Sequence, residues 1–248
     1  MQGDARPPAG GRFGTTRWSL VAGATGPEPA AARAALEALC EAYWYPLYAY
    51  LRRRGRRPDD AQDLVQAFFA TLLEKDWLAQ VDRERGRFRA WLLTAFKNFV
   101  SNETEKARAK KRGGDRRRLS LDFEEGERRY ALEPATEATP ESIYERNFAL
   151  TQISRVLAGL EERYRGQSVE KAERYEALRP YLLAESAPPY RETGASLGLS
   201  ETAVKVAVHR LRAQFREALR TEIAETVVDR REVDAEIRRL LVALRGTV

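Results

Sequence analysis

One segment combines large aromatic rings with amide side chains and a dense run of cations. It reads FRAWLLTAFKNFVSNETEKARAKKR. On a helical wheel at roughly 100° per residue, three of its rings fall in one apolar arc and are predicted to be core. They are Phe88, Phe96 and Phe99. Trp91 lies at the edge of that arc, near Asn98 and Asn102, where an indole could pack inward and still show a face outside. A base that leaves the DNA stack needs an aromatic surface and polar groups to read its edge, so these three residues are predicted to contact DNA.

The end of this segment begins a basic tract. Between Lys106 and Arg118, eight cations stand against one carboxylate, Asp115. This density exceeds that of a merely solvated face, and we interpret the tract as a contact to the DNA backbone. Each neutralised phosphate should then add about 0.9 to the log-log slope of binding against salt. The predicted DNA-binding residues of the tract are Arg108, Lys110, Lys111 and Arg112.

A second stretch, YRETGASLGLSETAVKVAVHRLR, has the pattern of two helices joined by a tight turn. The first helix ends at Gly198, and Ser200 can cap a longer helix that starts at Glu201. The inward face of the longer helix consists of Val204, Ala207, Val208 and Leu211. Polar residues at its start and outer side fit a major groove. The predicted contacts are Ser200, Thr202, Lys205, His209, Arg210 and Arg212.

The cations of this longer helix are expected to contact phosphates more than bases, because phosphate contacts are the more numerous. An ordinary helical hairpin is the alternative. Thr193 stands where an apolar residue is more usual, which predicts slightly weaker packing of the first helix. His209 has no second His and no nearby Cys, so it is interpreted as a polar groove-side or helix–helix contact, not a metal ligand.

The composition excludes several classes of protein. The 248 residues include 43 Lys and Arg against 37 Asp and Glu, a formal net charge of +6 that suits soluble, polyanion-tolerant domains. One Cys, one His and one Met cannot supply a disulfide framework, a Cys/His zinc cluster or a Ser-His-Asp triad with a spare base. We therefore expect no catalytic residues, no metal, no cofactor and a cytoplasmic location. No apolar run approaches the roughly 18 to 20 residues of a membrane span.

Helical periodicity runs through most of the chain and strand signals are almost absent, which predicts an all-α fold. One helix is expected from Pro29 to Gly55, with Pro46 kinking or dividing it. Another begins with Asp59 and Asp60 in its first turn, where carboxylates favour the positive helix end. Its apolar stripe consists of Ala61, Leu64, Val65, Phe68 and Leu72.

Residues 119–141 break this periodicity, contain Pro134 and Pro140 and concentrate acidic side chains. They are predicted to form a flexible acidic linker between two helical domains. The predicted division is a disordered N-terminus at 1–16, a first domain at 17–118, the linker, a second domain at 142–222 and a C-terminal helical extension at 223–248. The apolar stripe of the extension could pack on the second domain, regulate it or bind another protein, and packing is the default.

Two blocks of the sequence resemble, in order, parts of the bacterial RNA polymerase sigma factors of the extracytoplasmic-function type. The first is PDDAQDLVQAFFATLLE with FRAWLLTAFKNFVSNETEKARAKKR, which is similar to region two of that family. The second, SLGLSETAVKVAVHRLRAQFRE, is similar to region four. Both blocks in this order, with a linker between them, are far more specific than a helix-turn-helix alone. The resemblance covers roughly residues 36 to 222.

The resemblance implies a dissociable initiation subunit that binds core RNA polymerase, recognises two promoter elements and helps to melt the nearer one. It implies that Asp60, Asp63 and Gln66 dock on the polymerase, although helix-end electrostatics explains Asp60 nearly as well. It implies that the loop DRERGR before Phe88 forms a wall of the strand-opening site. An anti-sigma or other regulatory protein is a further candidate partner.

Two other classes stay open. A stand-alone helix-turn-helix regulator would bind DNA without polymerase, and the C-terminal helix could then dimerise it. A DNA-processing enzyme would need a carboxylate cluster or a nucleophile. The close group of Asp59, Asp60 and Asp63 lies at a helix start, which explains these residues without a metal.

Overall fold

The computed structural model describes residues 29–74, 77–80, 88–109, 121–133, 138–183, 187–224, 226–227 and 229–245. Every regular element in these ranges is a helix, which confirms the predicted all-α fold. The expected disordered N-terminus and the DRERGR loop lie outside the described residues.

The described α-helices are α1 (Pro29–Arg53), α2 (Pro58–Glu74), α3 (Phe88–Ala109), α4 (Phe123–Ala131), α5 (Pro140–Arg165), α6 (Val169–Leu178), α7 (Pro180–Leu183), α8 (Tyr190–Leu197), α9 (Glu201–Ala224) and α10 (Val233–Arg245). Trp77–Gln80 and Arg230–Glu232 form short 3-10 helices. The chain divides into two compact units, the first formed by residues 1–150 with 223–248 and the second by residues 151–222. The C-terminal extension is therefore grouped with the first unit, whereas packing on the second domain was the default expectation.

Aromatic side chains of α1, α2 and α3 form the core of the first unit. The ring of Phe68 lies 5.0 Å from that of Phe96 and 5.5 Å from that of Phe99. The ring of Tyr43 meets that of Phe88 edge-on at 5.5 Å. Such pairs contribute about 0.5–1.5 kcal/mol beyond the burial of their area. The three phenylalanines predicted to be core are all buried.

Helix α1 runs through Pro46 without dividing. A proline inside a helix removes one hydrogen bond and crowds the preceding turn. Here tertiary packing outweighs that cost, because every residue from Tyr45 to Leu51 is buried. The chain turns at Gly55, whose φ of +78° is a conformation that side chains with a Cβ rarely adopt.

Part of the predicted acidic linker is helix α4, which packs on α1. The side chain of Asp122 caps α4 by accepting a hydrogen bond from the backbone N–H of Glu125 at 2.9 Å. The ring of Phe123 meets that of Trp44 at 5.1 Å. Gly126 lies so close to Trp44 that an added Cβ would stand 2.7 Å from the indole. Only a residue without a side chain fits there.

An acidic side chain of α4, Glu127, also forms polar contacts with α1. Glu127 forms an ion pair with Arg52 at 2.8 Å and accepts a hydrogen bond from the Tyr48 hydroxyl. Burial and this carboxylate raise the pKa of Tyr48. The flexible linker expected over residues 119–141 is therefore corrected for residues 123–131. The composition of this segment predicted a solvated tether because it shows the acidic side chains alone. Arg52, the cation that neutralises Glu127, lies 75 positions away in the sequence.

The second unit packs α6 to α9 and the C-terminal half of α5 around one core. Its buried members are Val156, Leu160, Tyr175, Leu178, Tyr181, Val204, Ala207, Val208 and Leu211. The four residues predicted to face inward from α9 are all in this cluster, so the helical wheel identified that face correctly.

Candidate functional site

The acidic surface of α2 has the predicted orientation. Asp60 and Asp63 are exposed and Gln66 is partly buried, whereas Val65 and Phe68 on the other side of the helix are fully buried. Neither carboxylate has an ion-pair partner in the described part of the chain. This surface can therefore receive a cationic partner without first breaking an ion pair to a described residue.

Trp91 does not lie at a half-exposed edge as expected. Its side chain is 5% exposed and its ring packs 5.4 Å from that of Phe88. The apolar residues of α3 predicted a buried arc that ends at Trp91. The buried face of the helix is wider than this, because the charged residue Arg89 is buried as well. The prediction that Trp91 offers a face to DNA is therefore corrected, and we assign the ring to the core.

The remaining predicted residues of α3 are only partly described. Asn98 is exposed and Asn102 is partly buried, and their spacing of four places them on one side of the helix. Lys97 pairs with Glu141 of α5 at 2.7 Å, and this hydrogen bond lowers the pKa of the Glu141 carboxyl. The side chain of Arg108 and all of Lys110, Lys111 and Arg112 lie outside the described residues.

Sequence reasoning missed Arg89, which is 1% exposed and joins three helices. Its guanidinium donates to Glu145 of α5 at 2.7 Å and to Glu236 of α10, and it lies over the ring of Phe148 at 5.2 Å. Burial opposes the charged form, but the two carboxylates raise the pKa of Arg89. A cation inside the run FRAW, flanked by apolar residues, was the signal that could have identified it.

In the second unit, α8 and α9 are joined by a tight turn of the predicted form. Gly198 ends α8 with a φ of +65°, and the Ser200 hydroxyl accepts a hydrogen bond from the backbone N–H of Ala203 at 3.2 Å. A Cβ on Gly194 would stand 2.7 Å from the carbonyl oxygen of Leu199, so the turn folds back directly onto α8.

Thr193 is buried, and its polar hydroxyl has a hydrogen-bond partner inside the second unit. Its hydroxyl shares a hydrogen bond of 2.7 Å with the hydroxyl of Tyr181. The ring of Tyr181 stacks at 4.9 Å on that of Tyr190, which starts α8. The expected weakening of packing by a polar residue is therefore offset by a satisfied buried hydrogen bond.

Two of the six residues predicted to bind DNA around α9 are engaged within the chain. Arg212 donates from two guanidinium nitrogens to the backbone carbonyl of Tyr181, at 2.9 and 3.1 Å. This contact gives Arg212 a structural role, and because the residue is also exposed, its contact with DNA stays a prediction. Lys205 pairs with Glu201 at 2.6 Å, which raises the pKa of the lysine. An exposed pair of this kind is worth little and can be exchanged for a phosphate.

The other predicted residues around α9 are available at the surface. Ser200, Thr202, His209 and Arg210 are exposed. Val206, which the sequence reasoning left out, is 46% exposed on the same helix. It lines a groove between α9 and α6. The cations that line this groove are Arg163, Lys171, Arg174 and Arg210, and its lining includes no carboxylate.

The described residues contain no group of three or more His, Cys, Asp or Glu side chains that could hold a metal ion. None of their helices combines the length and the apolar character that a membrane-crossing segment requires.

Residues 39–110 match the protein family described as Sigma-70 region 2. The matched segment begins within α1 and contains α2 and α3. It covers less than half of the 248 residues, so this part of the chain, and not its whole length, is similar to that region. No curated protein and no solved structure gives a significant match to the chain.

Proposed function

We propose that this protein is a sigma factor of the extracytoplasmic-function type, which directs core RNA polymerase to specific promoters and assists melting of the nearer promoter element. The observation that carries the proposal is the match of residues 39–110 to Sigma-70 region 2. The second unit, with two helices joined by a tight turn, supports a role in reading the more distant promoter element.

Polymerase docking is assigned to the acidic surface of α2. Asp60 and Asp63 are exposed and Gln66 lies beside them. Complementary charge at the rim of an interface speeds encounter and fixes register more than it adds affinity. The anchoring energy of such a dock would come from apolar and hydrogen-bonded contacts around these carboxylates.

Strand opening is assigned to the surface of α3 and the tract that follows it. Asn98 and Asn102 carry amides that can hydrogen-bond the edges of unpaired bases. The basic tract after α3 would hold the phosphates of the same strand. Trp91 supports this surface from beneath, because its buried ring packs on Phe88 and fixes the start of α3.

Recognition of the upstream element is assigned to α9. Ser200, just before α9, and Thr202, His209 and Arg210, in its N-terminal half, are exposed. A helix that presents such donors can enter a major groove with its N-terminal half. The proposed activity rests on binding alone and requires no chemical step by a side chain of this protein.

The test is initiation by sigma-free core polymerase. The purified chain is added with a genome-derived promoter library, and the transcripts are sequenced. We expect start sites that share two upstream motifs, and no such transcripts when the chain is omitted. Failure at every promoter of the library would refute the proposal. A stable protein–operator complex formed without polymerase would instead support a stand-alone helix-turn-helix regulator.

A further inference from the structure

The solvent side of α9 carries one large apolar residue, Val206, that does not pack into the core. The four inward apolar residues of α9 are at most 9% exposed, whereas Val206 is 46% exposed. Thr202, Val206 and Arg210 follow one another at spacings of four and therefore form a line along one side of the helix. All three line the groove between α9 and α6.

The side of α9 that bears Thr202, Val206 and Arg210 differs from the side that bears Lys205 and Arg212 in its hydrogen bonds within the unit. On the opposite flank, Lys205 pairs with Glu201 and Arg212 donates to the carbonyl of Tyr181. Arg210 makes no hydrogen bond or ion pair with the described residues. The side of α9 that bears Val206 is thus the side with an uncommitted guanidinium.

The charge of the groove indicates what it faces. Arg163 from α5 and Lys171 and Arg174 from α6 join Arg210 along its lining, which includes no carboxylate. Among the described residues, the side-chain ammonium of Lys171 donates only to the neutral amide of Gln167, at 2.8 Å. Four cations without a neutralising acid favour a polyanion such as the DNA backbone over an acidic side chain of the same unit.

We infer that Val206 is a specificity-determining residue, which contacts the 5-methyl group of a thymine in the major groove of the upstream promoter element. The inference rests on the proposed function and names the base chemistry that α9 reads. The thymine methyl is the one apolar group that a major-groove edge presents, and an apolar side chain is its natural partner. Thr202 and Arg210 lie one turn away on either side of Val206, where they meet neighbouring base edges or phosphates, and the groove cations hold the adjoining backbone.

The test replaces each upstream thymine in turn by deoxyuridine, which removes only the methyl group. Affinity is measured for the holoenzyme formed by core polymerase and the full chain, on a promoter found in the initiation assay. For the wild-type chain we expect about a fourfold loss at one thymine, the scale of one buried methyl or methylene group. In the Val206→Ala holoenzyme this loss should disappear, because the partner methyl groups are absent.

The matched control is Val169→Ala, which truncates an exposed valine of the same unit that does not line the groove. This variant should keep the wild-type response to deoxyuridine. Circular dichroism should show the same helix content in all three proteins, because both valines are exposed.

The inference is overturned if no thymine responds, or if the response persists unchanged in Val206→Ala. Normal initiation with either of these results leaves the proposed function intact and removes only the role of Val206. A chain that never supports initiation removes the proposed function and this inference together.

Discussion

Arg89 and Glu236 form an ion pair inside the first unit, although 147 positions separate them in the sequence. Both side chains are almost completely buried. Arg89 also pairs with Glu145 at 2.7 Å, and Glu236 also pairs with Arg239 at 3.1 Å. The pair joins α10 to α3. A buried charge that loses its partner destabilises the fold far more than the intact pair stabilises it.

Replacing Glu236 by Gln should therefore lower the free energy of unfolding by about 3 kcal/mol, since the buried Arg89 guanidinium would lose one of the two carboxylates that it pairs with among the described residues. The measurement is urea unfolding followed by circular dichroism. Glu232→Gln, at an exposed position of the preceding 3-10 helix, is the control and should change little. Equal stability of the two variants would contradict the structural importance of the pair.

Replacement by Ala should have opposite effects on stability at two helical glycines, Gly126 and Gly159, because only Gly126 lies against another helix. Gly126→Ala should destabilise the first unit, because the new Cβ would stand 2.7 Å from the Trp44 indole. Gly159→Ala, in α5, meets nothing within 4 Å and should stabilise the protein by up to about 1 kcal/mol through helix propensity. Thermal unfolding of both variants checks this, and stabilisation by Gly126→Ala would show that α4 does not pack on Trp44.

Reversing one charge on α2 should separate polymerase binding from folding. Asp63→Arg should weaken co-purification with core polymerase at least about tenfold, because a cation would face the cationic partner surface. Glu74→Arg makes the same reversal at the exposed end of the same helix and is expected to bind normally. Both variants should keep their helix content. Undiminished binding by Asp63→Arg would refute the docking assignment.

The groove cations should contribute to the salt dependence of promoter binding. With Lys171 and Arg174 both changed to Gln, the slope of log affinity against log salt for the holoenzyme should fall by about 1.8, or about 0.9 for each lost phosphate contact. Arg165→Gln is the control, since Arg165 already pairs with Glu161 at 2.5 Å and does not line the groove. An unchanged slope in the double variant would place the DNA backbone elsewhere.

The single thiol reports on unfolding of the first unit. Burial, together with the carboxylates of Glu37 and Glu41, raises the pKa of Cys40 to about 12. Only the thiolate reacts, so the folded chain should resist a thiol reagent at pH 8.5 while the urea-unfolded chain takes up one equivalent. Because the unfolded thiol ionises at lower pH than the folded one, raising the pH above about 9 should also favour unfolding. Rapid labelling of the folded protein would contradict this burial.

Local periodicity in the sequence correctly predicted the features that are determined within a single helix. It identified the inward face of α9, the capping role of Ser200 and the core phenylalanines of α3. It failed for Trp91 and for residues 123–131, where the outcome depends on partners distant in the sequence. Arg52, which holds Glu127, and Glu236, which holds Arg89, are 75 and 147 positions from their partners. No pattern within α3 or α4 contains that information.

The order in which the chain is made also matters for Arg89. Residues 151–222, which form the second unit, are synthesised between Arg89 and Glu236. At about 5–20 residues per second, the ribosome needs about 7 to 30 s to add the 147 positions between them. Among the described residues, Glu145 is the one acid already synthesised during that interval that Arg89 finally contacts, and the second unit has time to fold first. Emergence of Glu236, rather than of the helices of the second unit, therefore completes the ion pair of the first unit.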